Sequence, residues 1–187
     1  LAFTGALGES ELGMNTQVPF VHLWTTVTDP YSGTSISRLD QLQARWNESG
    51  KTNCGGIDCT TINRTTVALL STEGGGGVAY VPGLCDSWVD PTTSYAYAFA
   101  GAIDGHFDIA TPAAAWDIIV VTHELGHNFG SIHTHCYSPP VDECYSGEGG
   151  CYAGPTSLPG PACPGKRPGS GRIQARSFSR ETKSTRH

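Results

Sequence analysis

The sequence predicts one mixed α+β domain. Three observations carry this. Short segments rich in β-branched and aromatic residues recur between residues 18 and 100, an amphipathic helix falls among them, and a long apolar helix follows them. At 187 residues the chain has room for a single hydrophobic core.

Residues 1–16 are Gly-rich and give no clear element. Val18–Thr28 (VPFVHLWTTVT) reads as a strand. Asp29-Pro30 with Ser32-Gly33 marks a turn. Ile36, Leu39, Leu42 and Trp46 recur at helical spacing, Ser35 or Ser37 can cap that helix, and Ser49-Gly50 can stop it. Lys51–Arg64 is a loop that Cys54 and Cys59 could clip. Thr65–Ser71 reads as a buried strand. The run Gly74–Gly77 leads into a short strand, Val78–Val81, which Pro82-Gly83 ends. Tyr95–Ala100 alternates aromatic residues with Ala, a strand with one bulky face. Thr111-Pro112 opens the strongest helix: Thr is a good N-cap, and Pro suits the first helical position. That helix runs through AAAWDIIVVTHELGHNF and ends at Gly130, which takes a left-handed conformation without steric cost. A stretch rich in Cys, Gly and Pro follows, and from Lys166 the composition turns basic and polar. The expected organisation is a folded domain over 1–165 and a disordered tail over 166–187. No internal repeat is present.

The net charge of −6 hides an asymmetry. Residues 1–165 carry four Lys/Arg against 16 Asp/Glu, whereas 166–187 carry seven against one. An acidic body argues against nucleic acid as the partner. No apolar run reaches the roughly 18 residues that span a bilayer. Seven cysteines, at 54, 59, 85, 136, 144, 151 and 163, include no CxxC pair. Disulfides formed in an oxidising, secretory compartment are the expected reading. Asn47-Glu-Ser and Asn63-Arg-Thr match the glycosylation sequon.

The chemistry lies in His123-Glu124-Leu-Gly-His127-Asn-Phe-Gly130-Ser-Ile-His133. His123 and His127, four apart on a helix, place two imidazoles on one face within reach of one metal ion. Gly130 breaks the helix and turns the chain, so that His133 can return as a third nitrogen ligand. Three protein ligands leave a fourth position open, which marks a catalytic rather than a structural zinc site. Zinc there would lower the pKa of water towards about 7 and polarise a carbonyl. Glu124 would be the general base that passes the water proton to the leaving amine. The pattern fixes five positions, with a random frequency on the order of one in ten million per start site. His135 also lies close, but the Gly-x-x-His spacing favours His133. His22 and His106 read as ordinary structural or surface residues.

These residues resemble the metzincins, and within them the secreted, microbial, adamalysin/reprolysin-type metalloproteases. HELGHNFGSIH (123–133) is similar to the family zinc signature, GGVAYVPGLCD (76–86) to its edge strand and following cysteine, and the run from Phe107 to its active-site helix. The resemblance covers roughly residues 15–165. It implies a twisted mixed sheet, the active-site helix beneath a cleft, and hydrolysis of an extended peptide or protein by a secreted monomer. It also implies that Val78–Val81 is an antiparallel edge strand pairing with substrate, so that Gly77, Val78, Ala79 and Tyr80 are the expected substrate-binding residues. An unpaired edge offers N–H and C=O groups to an extended chain. The chain departs from the family in one respect: metzincins carry a Met-containing turn after the third His, and the only Met here is Met14. An incomplete C-terminal subdomain and a shortened N-terminus are the corresponding expectations. Two rival readings follow: a zinc-binding remnant that cleaves nothing, and a Cys-rich extracellular binding module.

Overall fold

The computed structural model describes residues 13, 15–25, 29–105, 116–141, 143, 146–155 and 174–177. The architecture is α+β, as the sequence predicts. In chain order the elements are α1 (Ser35–Asn47), β1 (Val67–Leu70), β2 (Gly77–Val81), the short α2 (Asp86–Val89), β3 (Tyr97–Ala100), α3 (Trp116–Asn128) and β4 (Gln174–Ser177). Single 3-10 turns occupy Cys59–Thr61 and Thr134–Cys136.

The sheet order is β1-β3-β2-β4. β3 runs parallel to β1, pairing Val67 with Tyr97 and Leu70 with Ala100. β2 runs antiparallel to β3, pairing Gly77 with Ala100 and Ala79 with Ala98. Residues Gln174–Ser177, in the tail expected to lack regular structure, lie parallel along β2 from Val78 to Val81. Among the described residues this strand covers the outer edge of β2.

The alternation along β2 and β3 sorts large residues from small. Val78, Tyr80, Tyr97 and Phe99 join Leu39, Leu42 and Trp46 of α1 in the main core cluster. Gly77, Ala79, Ala98 and Ala100 take the opposite face by strand periodicity. There α3 packs across β2 and β3, with Val120 and Val121 clustered with Ala100. The small face lets the helix backbone come close to the sheet.

Two expectations need correction. The cap of α1 is Thr34, whose hydroxyl accepts from Ser37 N at 3.2 Å, rather than Ser35 or Ser37. Residues 18–25 form no ladder among the described residues, although their exposure alternates as a strand's would. Phe20 and Trp24 pack against the core while Val21 and Leu23 face solvent, and no strand among the described residues pairs with the segment. The Asn47 sequon amide is engaged inside the fold: it donates to Ser94 O at 3.0 Å and accepts from the Tyr97 hydroxyl.

The clip expected across the loop is present as a Cys54–Cys59 disulfide, and a second disulfide joins Cys136 to Cys151. Cys85 is a free, exposed thiol. Thr26–Thr28, His106, the helix start at Thr111-Pro112, Cys144, Cys163 and the rest of the tail lie outside the described residues. Among the described residues no helix is long and apolar enough to cross a membrane.

Candidate metal centre

The start of α3 is tied to the end of β3. Trp116 Nε1 donates to Gly101 O at 3.2 Å, and Asp117 accepts from Gly105 N at 2.9 Å. The far end is anchored more heavily by Asn128, which is fully buried. Its amide donates to Tyr80 O and Tyr97 O, both at 3.0 Å, and its Oδ1 accepts from the Thr66 hydroxyl. Its own carbonyl accepts from Gly83 N and Leu84 N at 3.1 and 2.9 Å. One side chain therefore pins the helix to two strands and to the residue just before a third.

The helix ends in a Schellman motif. Gly130, at φ 93°, donates from N to His127 O at 2.9 Å, and Ser131 N donates to Gly126 O at 3.1 Å. This is the left-handed stop expected at Gly130, and it turns the chain so that His133 comes back over the helix.

The result is a triangle of imidazoles. Ring centroids of His123 and His127 lie 4.5 Å apart, His127 and His133 4.8 Å, and His123 and His133 5.3 Å. One potential ligand nitrogen from each falls within 4.8 Å of the others. His127 is buried, while His123 and His133 are half-buried, so the triangle opens to one side. His127 Nδ1 faces Ser131 O at 2.6 Å, and His133 Nδ1 faces Glu148 Oε2 at 2.7 Å. Both contacts leave Nε2 as the ring nitrogen for a metal.

Glu124 sits beside the triangle, 1 % exposed. Its carboxylate leans on Gly77, where a Cβ would stand only 2.4 Å from Oε1. Gly77, expected at the substrate edge, thus also makes room for Glu124. Among the described residues neither Glu124 oxygen has a hydrogen-bond partner, and the same holds for Nε2 of His123 and of His127. Buried polar atoms are ordinarily satisfied, so these unpartnered ring nitrogens in the histidine group are what a cation would complete. Protonation follows the same logic. Desolvation, reinforced by His127 and His133, lowers His123 to about 4, and desolvation also lowers His127. Neutral imidazole is the metal-binding form. Burial pushes the Glu124 carboxyl up to about 9, and a nearby divalent charge would act in the opposite direction.

A second cluster joins His133, His135, Cys136 and Glu148. Cys136 is tied up in its disulfide and offers no thiolate. His135 Nε2 shares Glu148 Oε2 with His133, at 2.9 Å. Sequence reasoning missed Asn128, Ser131 and Glu148. Asn128 and Ser131 lie inside the motif run, but Glu148 lies 15 residues beyond His133 with no spacing rule to reach it.

Two helices against a small mixed sheet, with two imidazoles and a buried carboxylate on the closely packed helix and a third imidazole just past its end, are the arrangement of a metallopeptidase. The chain belongs to metallo-peptidase family M12, whose reprolysin-type model matches residues 3–170. Family members are zinc-dependent peptidases in general. No curated protein and no solved structure matches the chain.

Proposed function

We propose that the chain is a secreted, monomeric zinc endopeptidase that binds its metal through His123, His127 and His133 and uses Glu124 as general base. The observation that carries this is the set of three imidazole nitrogens within 4.8 Å of one another beside a buried, unpartnered carboxylate. The donor set of three neutral nitrogens with one side open fits zinc. Bound zinc supplies Lewis acidity, which acidifies water and polarises a carbonyl.

The other contributions come from the chain. Ser131 O and Glu148 hold the Nδ1 protons of His127 and His133, fixing the tautomers. Glu124 takes a proton from the attacking water at a carboxylate oxygen and delivers it to the leaving amine nitrogen. An extended substrate lies along β2, where the backbone of Gly77, Val78, Ala79 and Tyr80 supplies N–H and C=O groups. That edge already holds an extended strand, β4, which the substrate would replace. Two disulfides and an acidic body support a secreted protein with no nucleic-acid partner, and the proposal includes no membrane partner. Residues 1–165 are the proposed catalytic domain.

The test is zinc content of the purified chain, with cleavage of an unstructured protein in the presence and absence of a chelator. One zinc per chain with chelator-sensitive cleavage is the expected result; no zinc would end the proposal. Glu124→Gln should retain zinc and lose hydrolysis. His133→Ala should weaken zinc far more than His135→Ala, and the reverse order would mean the ligand set is wrong. A second reading, a zinc-binding domain that cleaves nothing, is favoured by β4 along the substrate edge. One zinc without cleavage would select it.

A further inference from the structure

We infer that Glu148 is a positioning residue for the metal centre: its carboxylate holds the His133 ring by Nδ1 and so aims Nε2 at the metal. This rests on the zinc reading above and deepens it.

The geometry is specific. A single oxygen, Glu148 Oε2, meets His133 Nδ1 at 2.7 Å and His135 Nε2 at 2.9 Å. An ionised carboxylate only accepts, so both ring nitrogens donate to it. With its proton on Nδ1, His133 has its lone pair on Nε2. The His133 and His135 rings stack at 5.3 Å with an interplanar angle of 20°, so His135 braces both the ring and the carboxylate. The His133 side chain is 9 % exposed and that of Glu148 30 %, so the contact lies at the rim of the centre, sheltered from bulk water on the histidine side.

Glu148 is held there by the chain around it. The Cys136–Cys151 disulfide closes a loop that starts three residues after His133 and ends three residues after Glu148. Cys151 N donates to Glu148 O at 3.3 Å, and Tyr152 N donates to His135 O at 2.9 Å. His127 shows the contrasting arrangement. Its Nδ1 rests on a neutral carbonyl, Ser131 O, supplied by the helix stop itself. His133 stands on an irregular segment past the helix, and its orienting group comes from a distant loop that the disulfide closes.

The alternative for this cluster is a second metal site. Its sulfur is oxidised, and the two ring nitrogens that face Glu148 are the ones that carry protons. The carboxylate therefore serves the first centre.

The experiment measures zinc affinity of the whole chain by competition with a chromophoric chelator, in wild type, Glu148→Ala and Glu148→Gln. It also records the visible absorption of the Co(II)-loaded forms and the thermal midpoint of each metal-free form. Glu148→Ala is expected to bind zinc about 10–100-fold more weakly, with an altered cobalt spectrum and an unchanged metal-free midpoint. Glu148→Gln keeps a neutral acceptor on the same stem, and a smaller loss of roughly 3–10-fold is expected. Wild-type affinity and spectrum in either folded variant would overturn the role of Glu148. Wild-type chain that takes up no zinc would overturn the zinc reading, and this inference with it. If Glu148→Ala does not fold, the Gln variant carries the decision alone.

Discussion

Glycine at position 77 is the most direct handle on the proposed base. A Cβ there would stand 2.4 Å from Glu124 Oε1, 2.5 Å from Cγ and 2.6 Å from Cδ. Ordinary contact begins near 3.4 Å, so in Gly77→Ala the carboxylate must move by about 1 Å. It has little room to move, being 1 % exposed. No left-handed φ is required at Gly77, so alanine fits the backbone and the strain falls on Glu124. A displacement of that size at a reacting group costs on the order of 100-fold in rate. Overpacking adds roughly 1–3 kcal/mol of destabilisation. The three imidazoles are untouched, so zinc affinity should hold. The assay is kcat/KM on a quenched extended peptide, beside chelator competition for zinc and a urea titration. A Gly77→Ala enzyme with wild-type kcat/KM would refute the placing of the base against β2. A loss of zinc together with activity would mean that Gly77 supports the ligands instead.

Three further outcomes follow from the same geometry. Asn128→Ala leaves two strand carbonyls without their amide donor, and a loss of about 2–4 kcal/mol is expected in urea unfolding; an unchanged midpoint would remove the helix-anchoring role. In the metal-free protein burial raises the Glu124 pKa from its ordinary 4.5 to about 9, so its contribution to stability is fully present below 4.5 and is lost as pH rises towards 9. Glu124→Gln should therefore stabilise the metal-free protein increasingly from pH 5 to pH 8 in thermal melts; equal gains at both would contradict the shift. Deleting residues 171–187 removes β4 from the edge of β2, so peptide cleavage should rise through a lower KM, and an unchanged KM would mean that substrate does not use that edge.

Most of the fold was legible because its signals are local. The spacing of Ile36, Leu39, Leu42 and Trp46 marks α1, and Tyr95–Ala100 shows its two faces directly. The grouping of His123, His127 and His133 was legible because helical spacing and a single Gly link the three within eleven residues. What could not be read depends on partners distant in sequence. Val18–Thr28 has strand composition, but a ladder needs a neighbour, and none pairs with residues 18–25 among the described residues. The pairing of Gln174–Ser177 with β2 is backbone hydrogen bonding, which a polar, basic sequence does not advertise. Glu148 meets His133 from within the loop that Cys136 and Cys151 close. Pairing choices of that kind are not encoded in spacing.

The same disulfide gives the centre a history. Two of its imidazoles ride on a helix anchored by Asn128, and they need no covalent help to stand together. The third, with the carboxylate that steadies it, is bracketed by a bond that a reducing environment leaves open. If His133 binds zinc as proposed, closing this disulfide should raise zinc affinity, and reducing it in the purified chain should lower that affinity.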